Sequence, residues 1–378
     1  MTLVEPIPAG TRAAMAAPDY RRIAHISAWL IKMPLVVPYR LAFGVQDSFG
    51  CVIVRVTDET GREGWGEAAL LPGYTDESAE SSWQTAKSLA PRMVGLDGAE
   101  ALAEAGRLLT QAAFTACAFH TAMDHAAGHP LLAVTGRQPL LGTVNGKPDD
   151  RAALTSEIEA LIAAGYTTLK MKVGFDLLSD LNAVTIIRDI VGGRALLRID
   201  GNQGFSREDA VAFLTKLSPE GVELVEQPCA AHDWDAAVAV KRAASVPVMM
   251  DESIYGEDDI RRAADLQCAD YIKLKLMKMG SLDRLARGLE LVRSLGMRTV
   301  MGNGVASDLG CWMEACIGVA HLDNAGEMNG FLKPRQTLLR TPLRMEGPCI
   351  VLDGGAMEVD EEKLHQLKTD HAAWGSRP

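Results

Sequence analysis

No stretch of the chain comes near the ~18 uninterrupted apolar residues that a membrane-crossing helix requires. The first twenty residues hold Glu5, Pro6, Pro8 and Arg12 and no apolar run, so no signal peptide is expected. Positive charge is in deficit: 38 Lys and Arg stand against 49 Asp and Glu, a net charge of −11. That balance argues against a nucleic-acid partner and against an anionic membrane surface. The 7 cysteines are scattered without C-x-x-C spacing. They read as reduced thiols in a cytoplasmic protein, not as a disulfide frame or a zinc site. No internal repeat or low-complexity tract stands out. What remains is 378 residues with 48% hydrophobic content, enough for two domains or for one barrel plus an elaboration.

Residues 1–20 read as a flexible arm. Residues 22–33 and 51–57 read as strands, 58–61 as a turn and 64–67 as the start of a return strand, an antiparallel meander. Between the first two strands, residues 38–44 form an aromatic-rich loop bounded by Pro and Gly, with Tyr39 and Phe43 as candidate flap residues beside the turn at 72–74. Residues 76–135 carry Ala, Leu and charges at helical spacing. An α+β capping domain is therefore expected over 1–137.

The grammar then changes. Apolar runs end on charged residues at Lys172, Asp200, Glu226, Asp251 and Lys275, with steps of 28, 26, 25 and 24 residues. One strand, one helix and two loops take about that many residues in a parallel βα unit. Residues 141–144, 298–303 and, more weakly, 325–328 are candidates for the first, seventh and eighth strands, with helical segments between the strands. The expected fold is α/β, a (β/α)₈-type barrel over 138–345 with the N-terminal α+β cap. The tail, 346–378, is expected to return to that cap. Charged residues at the C-terminal ends of barrel strands lie where barrel enzymes build their sites.

Asp200, Glu226 and Asp251 come from three adjacent strands. Any one of them alone reads as a cap for the following helix. Three in register repel one another unless a cation lies among them, and hard oxygen donors point to Mg²⁺, with Mn²⁺ also accommodated. Lys170 and Lys172 share one side of their strand, and Lys273 and Lys275 repeat the pattern four strands away. Lysines facing each other across a barrel mouth suit removal and return of a proton next to a carboxylate.

These motifs (Lys170-Met171-Lys172, Asp200-Gly201-Asn202, Glu226-Gln227-Pro228, Asp251-Glu252-Ser253 and Lys275 through Lys278) resemble the enolase superfamily. Within it they resemble the muconate lactonizing enzyme subgroup of the mandelate racemase/muconate lactonizing enzyme group. The resemblance implies that Asp200, Glu226 and Asp251 bind Mg²⁺. It further implies that Lys172 and Lys275 are acid/bases and that Lys170 supports the substrate carboxylate or Lys172, the known chemistry of that superfamily. It implies an isomerase, a racemase, epimerase or cycloisomerase, acting on a small carboxylate or amino-acid derivative. A dehydratase using the same enediolate and a catalytically retired binding barrel are the alternatives. Candidate substrate contacts are Asn202, Asn303, Glu327, Phe43 and Tyr39. The sequence departs from the subgroup at Ala306, where muconate lactonizing enzymes carry a glutamate. It departs again at Glu327-Met328-Asn329, where dipeptide epimerases carry Asp-x-Asp. The expected partner is a small carboxylate, with no nucleic acid or membrane and with homo-oligomers allowed.

Overall fold

The computed structural model describes residues 17–41, 44–71 and 75–378, and for 39–41 and 44 the backbone alone. The chain opens with strands β1 (Ile23–Leu41), β2 (Gly44–Asp58) and β3 (Glu63–Leu70), the expected meander. The first strand runs well past its expected end at residue 33. Its ladder with β2 runs to Pro34–Ser48, breaks there and resumes at Tyr39–Gln46, so Pro38 falls in the irregularity, where a missing N–H breaks no ladder bond. There the chain bridges Leu35 to Pro334, and Val36 N–H donates to the Lys333 carbonyl at 2.8 Å. Residues 39–41 pair with 44–46 as strand instead of forming the expected loop. Phe43 and the turn at 72–74 lie outside the described residues, as does the Tyr39 side chain.

Three helices follow: α1 (Ala79–Met93), α2 (Gly98–Gly106) and α3 (Ala113–Ala126). Ser78 and Ser81 close a reciprocal capping box at the start of α1. Helix α3 lies directly on β3 because that strand offers glycine at alternate positions. A Cβ on Gly66 would sit 2.0 Å from the Ala118 carbonyl oxygen, and one on Gly64 would sit 2.1 Å from that of Ala122.

Strand β4 (Thr135–Pro139) leads to seven parallel strands: β5 (Gly142–Thr143), β6 (Thr168–Lys172), β7 (Leu196–Asp200), β8 (Val222–Glu226), β9 (Val248–Met250), β10 (Tyr271–Leu274) and β11 (Arg298–Met301). They pair in chain order as one sheet. Helices α4 (Arg151–Ala163), α5 (Leu177–Val191), α6 (Arg207–Lys216), α7 (Trp234–Ala243) and α8 (Glu257–Asp265) separate them, then α9 (Leu276–Met279) and α10 (Leu282–Ser294). The expected eighth strand at 325–328 is reduced to two isolated parallel bridges, Gly302–Glu327 and Leu140–Gly326. Those bridges link the two margins of the sheet, so the stretch is too short to register as a strand yet lies where the eighth would be. The fold is α/β, a seven-stranded parallel sheet under an N-terminal cap.

Helix α11 (Asp308–His321), strands β12 (Met345–Glu346) and β13 (Cys349–Asp353), helix α12 (Glu361–Leu367) and strand β14 (Lys368–Gly375) complete the chain. Strand β13 pairs with β4, and β14 pairs with β1. One apolar core joins Trp29 and Phe49 of the meander to Leu274, Met301 and Trp312 of the parallel unit. The cap and the parallel-sheet unit therefore share buried surface and do not touch through loops alone. Among the described residues no helix is long and apolar enough to cross a membrane.

The same junction holds two buried carboxyls. Glu67 of β3 accepts from Ser307 N–H at 3.0 Å and from the Ser307 hydroxyl, at the start of α11. Glu314, further along α11, accepts from Leu276 N–H at 3.2 Å and from the Asn303 amide at 2.5 Å. Burial raises both to about 7 from a reference of 4.5. The folded state therefore holds these protons more tightly than the unfolded chain. Their contribution to stability is full below about pH 4.5 and is lost as pH rises through 7. The loss is about 3 kcal/mol per group. We expect thermal stability to fall between pH 5 and pH 8, and Glu314→Gln, which removes the titrating carboxyl and keeps an acceptor for one of its two donors, to flatten that fall. Equal slopes in the two proteins, read by calorimetric melting, would contradict the assignment.

Candidate active site

Strands β6, β7 and β8 end in register: Lys172 stands beside Asp200, and Asp200 beside Glu226. Asp251 lies one residue beyond β9, and Lys275 lies just past β10 as the residue preceding α9. Local backbone fixes these ends. Asn202 and Gln203 have φ of 43° and 65°, and Gln227 has φ of 34°. Left-handed backbone at non-glycine residues is uncommon and costs about 1–3 kcal/mol where it persists. The turn after Asp200 lets its carboxylate accept Asn202 N–H at 2.8 Å. Gly201 is required there, because a Cβ would fall 2.6 Å from the Pro228 Cα of the neighbouring strand end.

The three carboxylates are buried and linked through ammonium groups. Lys170 Nζ lies 3.1 Å from Asp200 Oδ2 and 2.8 Å from Glu226 Oε2. Lys273 Nζ lies 2.9 Å from Glu226 Oε1 and 3.4 Å from Asp251 Oδ2. Lys275 Nζ lies 2.8 Å from Asp251 Oδ2, and Lys278 Nζ 3.5 Å from Asp251 Oδ1. Glu327 takes Lys170 at 2.6 Å on one oxygen and Lys273 on the other.

Electrostatics divides the group. Burial, with repulsion from Asp200, raises Glu226 to about 8. Burial also pushes Asp251 up, but Lys275, Lys273 and Lys278 outweigh it and hold the carboxyl well below its usual range. Glu327 is likewise held low, burial being outweighed by Lys170 and Lys273. Burial lowers Lys170 and Lys273, yet the surrounding carboxylates leave both well above the usual lysine value. Lys278 goes the other way, to about 8, with burial as the main cause.

The expected residues are thus gathered at one end of the sheet, with differences. Lys172 is exposed while Lys275 is 2% exposed. Asn202 is half-buried and donates its amide to Glu252 Oε1 at 2.6 Å, tying the ends of β7 and β9 together. Asn303 is 1% exposed, with its amide engaged by Glu314 and its carbonyl by Gly330 N–H at 3.1 Å. Both oxygens of Glu327 face lysines of the chain itself. The Phe43 and Tyr39 side chains lie outside the described residues. Sequence reasoning assigned no role to Lys278, Glu252 or Glu314. Lys278 could have been found from its i+3 spacing to Lys275, but Glu314, on a helix far along the chain, gave no signal.

The donor chemistry is that of a hard divalent cation: carboxylate oxygens throughout, with neither His nor Cys among them. Glu252 Oε2 beside them is buried without a hydrogen-bond partner, an acceptor left over next to this cluster. Among the described residues no three acidic, His or Cys side chains already converge on one point. Lysine ammoniums provide the positive charge between the carboxylates here.

The chain is also similar to known proteins. Residues 26–141 match the mandelate racemase/muconate lactonizing enzyme N-terminal domain, and residues 153–363 match the enolase C-terminal domain-like family. Muconate cycloisomerase 1 of Acinetobacter baylyi is 27% identical, covering 90% of this chain and 97% of its own. The L-Ala-D/L-Glu epimerase of Bacillus subtilis is 29% identical over 76% of this chain and 82% of its own. The crystal structure of N-succinyl Arg/Lys racemase from Bacillus cereus superposes with a TM-score of 0.86 at 23% identity, covering 93% of this chain and all of that one. These relatives are isomerases. With both of its halves matched, the chain is a member of the mandelate racemase/muconate lactonizing enzyme family of the enolase superfamily.

Proposed function

We propose that this protein is a Mg²⁺-dependent isomerase that removes and returns the α-proton of a small carboxylate. The observation that carries the reading is the arc of β6 to β10, with Lys172 and Lys275 at its ends and Asp200, Glu226 and Asp251 between them. On this reading β5 to β11 and the bridging residues 326 and 327 make up a (β/α)₈-type barrel. Asp200, Glu226 and Asp251 would hold the ion, with Mn²⁺ as a substitute. When bound, the ion supplies charge that stabilises the anion developing on a substrate carboxylate.

The chain's own residues do the rest. Lys275, buried against Asp251, and Lys172, at the exposed end of β6, are the two acid/bases on opposite faces of the α-carbon. Lys170 adds a fixed positive charge beside the ion's place. Buried charges of this kind need little rearrangement as the substrate becomes an anion, which is where such sites gain most of their rate. The relatives' names (muconate, an Ala-Glu dipeptide, N-succinyl Arg and Lys) each denote a carboxylate, which supports that substrate class.

A screen in D₂O with Mg²⁺ tests the reading, using dipeptides, N-acyl amino acids and lactone-forming diacids. Deuterium should appear at the α-carbon of one class without loss of a leaving group. Loss of the leaving group from the same substrate would make the enzyme a dehydratase. No exchange in any class would favour a binding role.

A further inference from the structure

Four charged side chains close into a ring inside the parallel unit. Lys170 comes from β6, Glu226 from β8, Lys273 from β10 and Glu327 from the stretch that bridges the margins of the sheet. Lys170 meets Glu226 at 2.8 Å, Glu226 meets Lys273 at 2.9 Å, Lys273 meets Glu327, and Glu327 returns to Lys170 at 2.6 Å. With all four groups ionised the signs alternate and cancel. Lys170, Glu226 and Lys273 are 5%, 1% and 2% exposed, and the Glu327 side chain is 13% exposed. Barrel interiors stack inward side chains from alternate strands in layers, dominated by branched apolar residues. Here one such layer is wholly ionic.

Burying four charges is expensive, and apolar residues of similar volume would often be as stable or more so. The arrangement therefore calls for a purpose other than stability. Only Glu226 in the ring is an assigned ion ligand. Its two oxygens are held from opposite sides by Lys170 and Lys273, and Glu327 holds both ammoniums in turn. Lys170 reaches on to Asp200 at 3.1 Å and Lys273 to Asp251 at 3.4 Å. The ring thus touches all three carboxylates of the proposed cation site.

We propose that Lys273 and Glu327 are positioning residues for that site. They complete a charge-balanced ring that fixes the Glu226 carboxylate and stations Lys170 beside Asp200. This rests on the metal-dependent reading of the site. Two explanations of the ring differ in sign. If Lys273 acted only as a through-space charge, Lys273→Met would remove repulsion and tighten Mg²⁺ binding. If it positions Glu226, the same change weakens binding, because Glu226 and Glu327 are left facing each other with one ammonium between them. Glu327→Asp keeps the charge but shortens the reach, so a pure charge effect leaves affinity unchanged while positioning predicts a loss.

The experiment is calorimetric titration of the full chain with Mg²⁺, repeated with Mn²⁺, alongside melting curves in chelator. Lys273→Met and Glu327→Asp should each raise the dissociation constant about 10-fold or more, the scale seen when partners behind a metal ligand are removed. Lys273→Met combined with Glu327→Gln removes one charge of each sign, so a pure charge effect would leave affinity as in the unmodified protein, while positioning predicts that the loss seen with Lys273→Met persists. Tighter binding by Lys273→Met, or unchanged binding by Glu327→Asp, would overturn the proposal. So would variants that melt earlier in chelator yet bind the ion like the unmodified protein, since the ring would then be a matter of stability alone. Should Lys273→Met not fold, Glu327→Asp decides by itself. Absence of Mg²⁺ and Mn²⁺ binding in the unmodified protein would overturn the metal reading and this assignment together, and only that outcome implicates the parent reading.

Discussion

Glu226→Gln should weaken Mg²⁺ binding by at least about 100-fold and carry metal-dependent turnover down with it. Removing a partner behind a metal ligand already costs about 10–100-fold in affinity, and here the change falls on a proposed ligand itself. The substitution keeps volume and removes one negative charge from the centre of the cluster. Lys170 and Lys273, now paired to Glu226 at 2.8 and 2.9 Å, would then share only Glu327, Asp200 and Asp251. An incoming cation would meet a more positive site as well as one fewer anionic donor. Calorimetry for binding and a chelator-sensitive rate for turnover provide the check. Full metal-dependent turnover by this variant would rule out the arrangement.

The second large effect concerns the two lysines at the ends of the arc. Lys172 ends β6, and Lys275 follows β10, four strands further round the sheet. On the proposed reading they are acid/bases that address opposite faces of one α-carbon. Lys275→Ala should therefore abolish deuterium exchange for one enantiomer of the substrate, a loss of about 10²–10⁴-fold, and leave measurable exchange for the other. Lys172→Ala should give the mirror result. Lys275 also sits 2.8 Å from Asp251, so its removal takes a cation away from a proposed ligand, and some loss on the second face is expected as well. The asymmetry between enantiomers carries the assignment. Equal residual exchange for both enantiomers in either variant would mean that the lysines act as charges and not as bases.

Much of this site was legible before any coordinates, for a physical reason. A strand buried on both faces is an apolar run, and a charge at its C-terminal end interrupts that run conspicuously. Repeated at Lys172, Asp200, Glu226, Asp251 and Lys275, the interruption marks both the period of the fold and the place where its strands converge. Features that depend on neighbours distant in sequence were not legible. Lys273 and Glu327 are ordinary charges in sequence, and their pairing emerges only when residues 326 and 327 bridge the sheet margins. Asn303 follows a strand as a substrate contact would, yet its amide is taken up by Glu314 of α11. Helix α9 escaped because four residues cannot show a helical period. The length of β1 escaped because its prolines read as a terminus, whereas the ladder holds Pro34 opposite Ser48, skips residues 35–38 and resumes at Tyr39.

The most direct test of the central claim is α-proton exchange in D₂O, followed by NMR on an active carboxylate substrate with Mg²⁺ and again after chelation. The account predicts deuterium at the α-carbon with Mg²⁺, its disappearance on chelation, and its return when Mg²⁺ or Mn²⁺ is restored. Exchange at an undiminished rate in the chelated protein would contradict it.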